Sequence, residues 1–225
     1  MEKISYPNML FRLLLALVAV MVFLFIPAGS LNWPEAWLFM VIYFSWAGTM
    51  FVWFKKNNPE LLLKRMSTKM PIKKWDKNFF LTTIIAFMIY FIIFGLDAVR
   101  FHWSNMPWYL ELIGFIGIIT SLYFIFLTMK ENTFLSKLVE IQKNHQVITT
   151  GPYHYVRHPM YSSLIVMVFC LSLALGSWYS LIAGAMIVIM LIIRTYLEDK
   201  TLHQELGGYQ QYSKKTSYKL LPGIW

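Results

Sequence analysis

The sequence predicts an all-α integral membrane protein of about six transmembrane helices, and three observations predict it. Of 225 residues, 58% are hydrophobic and only 14% charged, whereas a water-soluble domain of this size carries about a quarter charged residues. The apolar residues fall in long runs, several of them within the roughly 17–25 residues needed to cross a bilayer. The basic residues gather between alternate runs. Together these features exclude a secreted disulfide scaffold, a disordered chain and an ordinary soluble enzyme. Cys170 is the single cysteine, so neither an internal disulfide nor a cysteine metal cluster is expected, and no metal site is predicted. The length corresponds to one domain. It reads as a single membrane domain, 1–225, with four helices in 1–129 and a long polar loop, a helical hairpin and a tail in 130–225.

Taken in order, residues 10–26 and 36–54 form a first hairpin, turned by Pro27-Ala28-Gly29-Ser30 and Trp33-Pro34. The first run does not read as a cleaved signal peptide, because it lacks a small-residue cleavage site and a second span follows almost at once. Residues 79–96 and 108–129 are the third and fourth spans. Residues 161–175 and 178–193 are only about 15–16 residues each, joined by the tight Gly176-Ser177 turn, and read as a hairpin of short or tilted helices.

Charge sets the expected orientation. Segment 55–77 holds Lys55, Lys56, Lys64, Arg65, Lys69, Lys73, Lys74 and Lys77 against Glu60 and Asp76, which makes it cytoplasmic by the positive-inside rule. Six spans then put both termini inside, with Lys3 and Arg12 near one and Lys200, Lys214, Lys215 and Lys219 near the other. The stretch 130–159, with Lys130, Lys137, Lys143 and Arg157, is also inside. Of the 20 basic residues only Arg100 falls outside, beside Glu35, Asp97 and Glu111. Topology therefore accounts for the net charge of +9, with some attraction to anionic lipid heads, and nucleic acid is not expected as a partner. Asp97 and Arg100, three apart, are expected to pair locally. Trp33, Trp37, Trp103, Trp108, Trp178 and Tyr179 read as an interfacial aromatic belt, and the 14 methionines as apolar filler.

Polar density concentrates in the loop before the fifth span and at the inner end of the sixth. Gly151-Pro152 signals a turn, and Pro159 suits the first turn of a helix, where its missing N–H costs nothing. Arg157 and His158 thus sit at a helix mouth, where free N–H groups and the helix dipole favour an anion. Arg194 and Glu198, four apart, share a helix face next to Asp199. As a plain surface pair they would contribute only about 0.3–0.5 kcal/mol. Ionisable groups that close directly on a hydrophobic span are functional candidates by default. The bland readings are that Tyr153 and Tyr155 are interfacial anchors, that His145 and His154 are solvated, and that Arg157 contacts lipid phosphate or caps backbone carbonyls.

The pattern Gly151-Pro152-Tyr153, Arg157-His158-Pro159, Tyr161, then Arg194, Glu198, Asp199, Leu202, Gly208, Tyr209, Tyr212 and Leu221-Pro222-Gly223-Ile224-Trp225 resembles the isoprenylcysteine carboxyl methyltransferase family, which is related to phospholipid methyltransferases. The specific part spans about residues 142–225. Asn58-Pro59-Glu60, Trp75-Asp76-Lys77 and residues 96–101 resemble a bacterial branch more weakly. The resemblance implies S-adenosyl-L-methionine held at the cytosolic membrane face and a lipophilic acceptor, with the bacterial inner membrane as location. It implies a cofactor pocket lined by Gln142, His145, Gln146, Val147, Ile148, Tyr153, His158, Pro159, Met160 and Tyr161, with Glu198 holding the cofactor's polar part and Arg194 facing the acceptor. Arg194, Glu198 and His158 are the implied catalytic residues. Two positions depart from the family pattern: Asp199 replaces a second glutamate, and Ser162-Ser163 replaces a common glycine and is expected to narrow the helix packing.

A sulfonium methyl is already activated, so placement and water exclusion supply most of the catalysis, on the order of 7–11 kcal/mol from positioning. A carboxylate acceptor needs no base but does need a cation, which Arg194 offers in forked geometry. For an amine or thiol acceptor, Glu198, Asp199 or His158 would take the proton. Tyr153, Tyr155 and Tyr161 are candidates to contact adenine or the cationic donor. Two other readings stand beside this one. One is an NADPH-dependent membrane reductase of the sterol-reductase type, against which the acidic residues after Arg194 argue. The other is a non-catalytic membrane protein with a vestigial pocket. The sequence leaves the acceptor and the oligomeric state open.

Overall fold

A computed structural model describes residues 6–66 and 73–225; Lys3 and Lys69 lie outside the described residues. All regular structure among the described residues is helical. The chain runs through α1 (Tyr6–Ala28), α2 (Pro34–Asn57), α3 (Pro59–Met66) and α4 (Lys74–Phe94), the last continued by a π-helical turn, Gly95–Arg100. There follow α5 (Trp108–Glu131), a 3₁₀ turn (Gly151–His154), α6 (Pro159–Ala174), α7 (Tyr179–Glu205) and α8 (Tyr209–Lys215). Five helices are long and apolar enough to cross a membrane: α1, α2, α4 with its extension, α5 and α7. The shorter apolar α6 has 16 residues, about 24 Å at 1.5 Å per residue, against a hydrocarbon core of about 30 Å. The protein is a multi-pass integral membrane protein.

The hairpin turns fall where Pro and Gly place them. α1 ends at Ala28, Gly29 adopts φ +67°, and Pro34 opens α2. The short α3, which hydropathy alone did not mark, starts where the Asn58 side chain accepts the Leu61 N–H at 3.0 Å, an N-cap interaction. The largest departure is α7. Its apolar run ends at Ile193, yet the helix continues to Glu205 for 27 residues in all, because Arg194 and Asp199 find buried partners instead of leaving the helix.

Packing rests on close backbone approach, as it must where lipid offers no hydrophobic drive between helices. A Cβ on Gly114 would lie 2.4 Å from the Ala174 backbone nitrogen, so α5 and α6 touch backbone to backbone. Gly95 meets the Leu24 carbonyl of α1 in the same way, at 2.5 Å. Tyr90, fully buried, closes the centre with its hydroxyl 2.9 Å from Ser172 Oγ.

The two ends of the bundle differ in chemistry. At the end holding the α1–α2, α4–α5 and α6–α7 connections, Asp97 does not form its expected pair with Arg100. The π turn directs it inward, where it is fully buried and accepts from Ser104 at 2.7 Å, Ser177 at 2.5 Å and the Tyr179 N–H at 3.3 Å. Arg100 lies over the Phe101 ring instead. The opposite end gathers α3, the α5–α6 loop, the last turns of α7 and the tail. It is cross-braced by Lys64 to Gln142 at 2.8 Å and Lys73 to Glu205 at 2.6 Å.

Candidate active site

The first turn of α6 and the far end of α7 meet at the braced end of the bundle. Tyr161, two residues into α6, donates its hydroxyl to Glu198 at 2.7 Å and accepts from Arg194 Nε at 2.7 Å. One phenol therefore links the acid and the guanidinium that stand one turn apart on α7. His158, the N-cap of α6, stacks on Tyr161 with ring centroids 6.0 Å apart. Its Nδ1 lies 3.9 Å from Glu198 and its Nε2 3.3 Å from Asp199; since a carboxylate only accepts, Nε2–H donates there.

Adjacent acids divide the work. Asp199 is buried and takes two parallel bonds from Arg157, 2.9 and 3.1 Å long, with a third from the Tyr209 hydroxyl at 2.8 Å. Arg157 completes its bonding on the Thr216 and Ser217 carbonyls, both at 2.8 Å. The Arg157 and His158 N–H groups go to the Tyr218 and Lys219 carbonyls at 3.0 and 2.9 Å. The expected anion-binding helix mouth is therefore filled by the protein's own tail. Burial opposes the charge on Arg157, and the bond to Asp199 outweighs it, leaving the guanidinium held above its ordinary pKa. Glu198, by contrast, keeps a side chain 20% exposed and faces open space.

That space is an open cleft of about 770 Å³ including its mouth. His145, Gln146, Val147, Ile148, Tyr153, His158, Pro159, Met160, Tyr161 and Glu198 all line it. Two expected site residues do not. Gln142 braces the loop, its amide donating to the Phe134 carbonyl at 2.8 Å while its oxygen accepts from Lys64. Arg194 is closed off: Asp76 of α4 binds Nη1, the Lys137 carbonyl accepts from Nη2 at 2.9 Å, and the Phe79 ring lies 4.5 Å away. Its fork is thus occupied, for the physical reason that a buried guanidinium needs its donors satisfied. Tyr155 is exposed and takes no part in the cleft. Ser162, expected to affect helix packing, instead donates to the Leu220 carbonyl of the tail at 2.6 Å.

Sequence reasoning missed several wall residues. Tyr209 and Tyr212 line the cleft; Tyr212 donates to the Tyr153 carbonyl at 2.7 Å. Burial raises the pKa of both, that of Tyr212 to about 12, so they remain protonated donors. Loop residues Phe134, Leu138 and Val139 also line it. Asp76 is the other omission: it accepts the Val139 N–H at 3.0 Å as well as pairing with Arg194, and so fixes the loop wall. An acid in a basic segment was the available signal.

The donor set suits an adenosyl sulfonium. Val147, Ile148, Leu202 and Leu206 give an apolar wall, and Tyr153 and Tyr161 give rings with protonated hydroxyls. Glu198 is a carboxylate facing the cleft, where a cation is stabilised. His145 stacks on Phe134 at 4.7 Å, and its buried Nδ1 has no partner among the described residues. Burial, then Lys64, lowers its pKa, so the ring is neutral and Nδ1 is available to a ligand.

Residues 109–208 match the family model described as phospholipid methyltransferase; no curated protein matches the chain. The matched stretch contains α5, the 3₁₀ turn, α6 and α7, hence most of the cleft. Residues 109–208 are a domain of the phospholipid methyltransferase family, and the protein is a membrane methyltransferase that uses S-adenosylmethionine.

Proposed function

We propose that the protein is an isoprenylcysteine carboxyl methyltransferase-like enzyme that methylates a lipophilic acceptor entering from the bilayer. The observation that carries this reading is Met160, which lines both the polar cleft and a second, apolar cavity. That cavity encloses about 1070 Å³ including its mouth and lies among α1, α2, α5 and α6. From Met160 a stripe of Leu164 and Met167 continues along α6 into it. A water-soluble donor and a lipid-borne acceptor thus reach one methionine from opposite sides.

S-adenosylmethionine supplies an activated methyl group. Glu198, held in place by the Tyr161 hydroxyl, would face the positive charge of the bound cofactor. Arg194 acts through Tyr161 and is a positioning residue rather than a contact to the acceptor. His158 sits between the two acids and orients toward Glu198, while Asp199 anchors it to the tail. The apolar walls exclude water, which strengthens these interactions. For orientation, the cleft end is cytoplasmic: Lys55, Lys56, Lys64, Arg65 and Lys73 all belong to that end, in the pattern expected of an inside face. The location is a bacterial inner membrane.

Calorimetric titration of the detergent-purified protein with S-adenosylmethionine, S-adenosylhomocysteine and NADPH tests the reading. Binding of the first two, lost in Glu198→Ala, is expected; binding of NADPH alone overturns it.

A further inference from the structure

Once the protein's own bonds are counted, two polar groups of the cleft are left over, and one side chain stands behind both. The first is His145 Nδ1, buried and without a partner among the described residues. The second is the proton of the Tyr153 hydroxyl. That hydroxyl accepts from Asn132 Nδ2 at 2.9 Å, and an amide nitrogen cannot accept a proton in return. Among the described residues no acceptor takes the Tyr153 proton, although the side chain lines the cleft and the residue is only 6% exposed. Burial raises the Tyr153 pKa, so the phenol keeps that proton and has it to give.

The sense of the Asn132 amide is fixed by its other end. Asn132 closes α5 as its C-cap, and its Oδ1 accepts the Phe134 N–H at 2.9 Å. The oxygen therefore faces the backbone and the nitrogen faces the phenol. The Phe134 ring held in this way is the one that stacks on His145. Tyr153 is also pinned at its backbone, where its carbonyl accepts from Tyr212. It packs with Leu206, Tyr209 and Tyr212 against Val147, Ile148 and Leu202, on the apolar side of the cleft. A flat purine suits such a wall, but its ring nitrogens and the ribose oxygens are acceptors that apolar side chains cannot serve.

Resting on the function proposed above, we infer that Asn132 is a positioning residue for the cofactor: by donating to the Tyr153 oxygen it turns the Tyr153 proton into the cleft, toward an acceptor atom of the nucleoside half of S-adenosylmethionine. Asn132 acts through Tyr153 and not on the reacting atoms.

Reversing the polarity of this one bond tests the inference. Asn132→Asp keeps the side chain's size and an oxygen for the Phe134 N–H, but its second oxygen accepts where the amide donated. The phenol proton then turns back to the carboxylate, and a ligand acceptor meets a lone pair instead. Asn132→Ala removes more bonds yet leaves the phenol able to rotate toward a ligand. The full chain in detergent is titrated calorimetrically with S-adenosylhomocysteine, whose uncharged sulfur is not attracted to the added carboxylate. A second titration uses 5′-methylthioadenosine, which carries the nucleoside half alone. Tyr153→Phe and Asn132→Asp should each weaken both ligands about tenfold. The double variant should lose no more than about twofold beyond either single. Asn132→Ala should weaken both less than Asn132→Asp does. Thermal unfolding of each variant without ligand separates folding losses from binding losses. Independent losses in the double variant overturn the inference, as does unchanged affinity in Tyr153→Phe. So does a loss in Asn132→Ala as large as that in Asn132→Asp, or a penalty confined to S-adenosylhomocysteine. Binding of S-adenosylhomocysteine without the coupling defeats this inference alone, whereas no binding of either ligand to the unmodified protein defeats the methyltransferase cleft itself.

Discussion

Adjacent acids on α7 should fail in opposite ways when neutralised. Asp199→Asn leaves Arg157 facing an amide: one oxygen still accepts, but the other position presents N–H groups to a guanidinium. Both side chains of the original pair are 6% exposed, so water cannot make up the loss. Removing one partner of a buried pair costs about 3–5 kcal/mol. At roughly 2–4 °C per kcal/mol for a chain of this size, the melting temperature should fall by about 6–20 °C. Glu198→Gln keeps an oxygen for the Tyr161 hydroxyl and sits at a 20% exposed position. Its cost in stability should be about 1 kcal/mol or less, a shift of a few degrees. Its effect on cofactor affinity should be at least about tenfold, because a carboxylate facing a cation is replaced by a neutral amide. Thermal unfolding of the detergent-purified variants, paired with calorimetric S-adenosylmethionine titration, reads both quantities. The division of roles is refuted if Asp199→Asn melts within about 3 °C of the unmodified protein, or if Glu198→Gln unfolds as early as Asp199→Asn.

Three further outcomes follow from the same contacts. Asp76→Asn loosens both Arg194 and the Val139 N–H, and should speed hydrogen exchange at Val139 as well as weaken cofactor binding, measured by exchange mass spectrometry and calorimetry. Gly114→Ala drives a Cβ into the backbone of Ala174 and should cost about 1–3 kcal/mol or more; Gly117→Ala meets the movable Cys170 side chain and should cost less, as read by thermal unfolding. For pH, His145 holds its proton less tightly in the folded state than in the unfolded one, so its contribution to stability is complete above about 6.5 and is lost progressively as pH falls below that value toward its lower folded-state pKa. The unmodified protein should therefore lose more melting temperature between pH 7.5 and 5.5 than His145→Gln does; equal losses would contradict the burial assigned to that ring.

The spans were legible because long apolar runs have few alternatives in a 225-residue chain. Hydropathy ended the last span at Ile193, however, since it measures affinity for lipid and not helical hydrogen bonding; the polar turns that carry Glu198 belong to the same helix. The cleft was legible through local motifs, with Tyr153, His158, Tyr161 and Glu198 lining one space. What escaped was long-range pairing. Nothing in the spacing of Arg194 and Glu198 reveals that Asp76, 118 positions earlier, satisfies the guanidinium. Nothing in Asp97 and Arg100 reveals a π turn that points the acid away from its neighbour. Asp199 read as a replacement for a second glutamate, because its role depends on Arg157 and Tyr209, which only the folded chain brings to it.

The bond between Asp76 and Arg194 bears on how this enzyme can be recombined. Asp76 precedes the family-matched residues 109–208, and Tyr209, Thr216 and Ser217 follow them. A transplant of the matched stretch alone into an unrelated scaffold would therefore leave Arg194 without its acid and Arg157 without two carbonyl acceptors, with Asp199 its remaining partner. Chimeras of such methyltransferases should be cut so that the acid of the preceding helix and the carbonyls of the tail travel together with the arginines whose donors they accept.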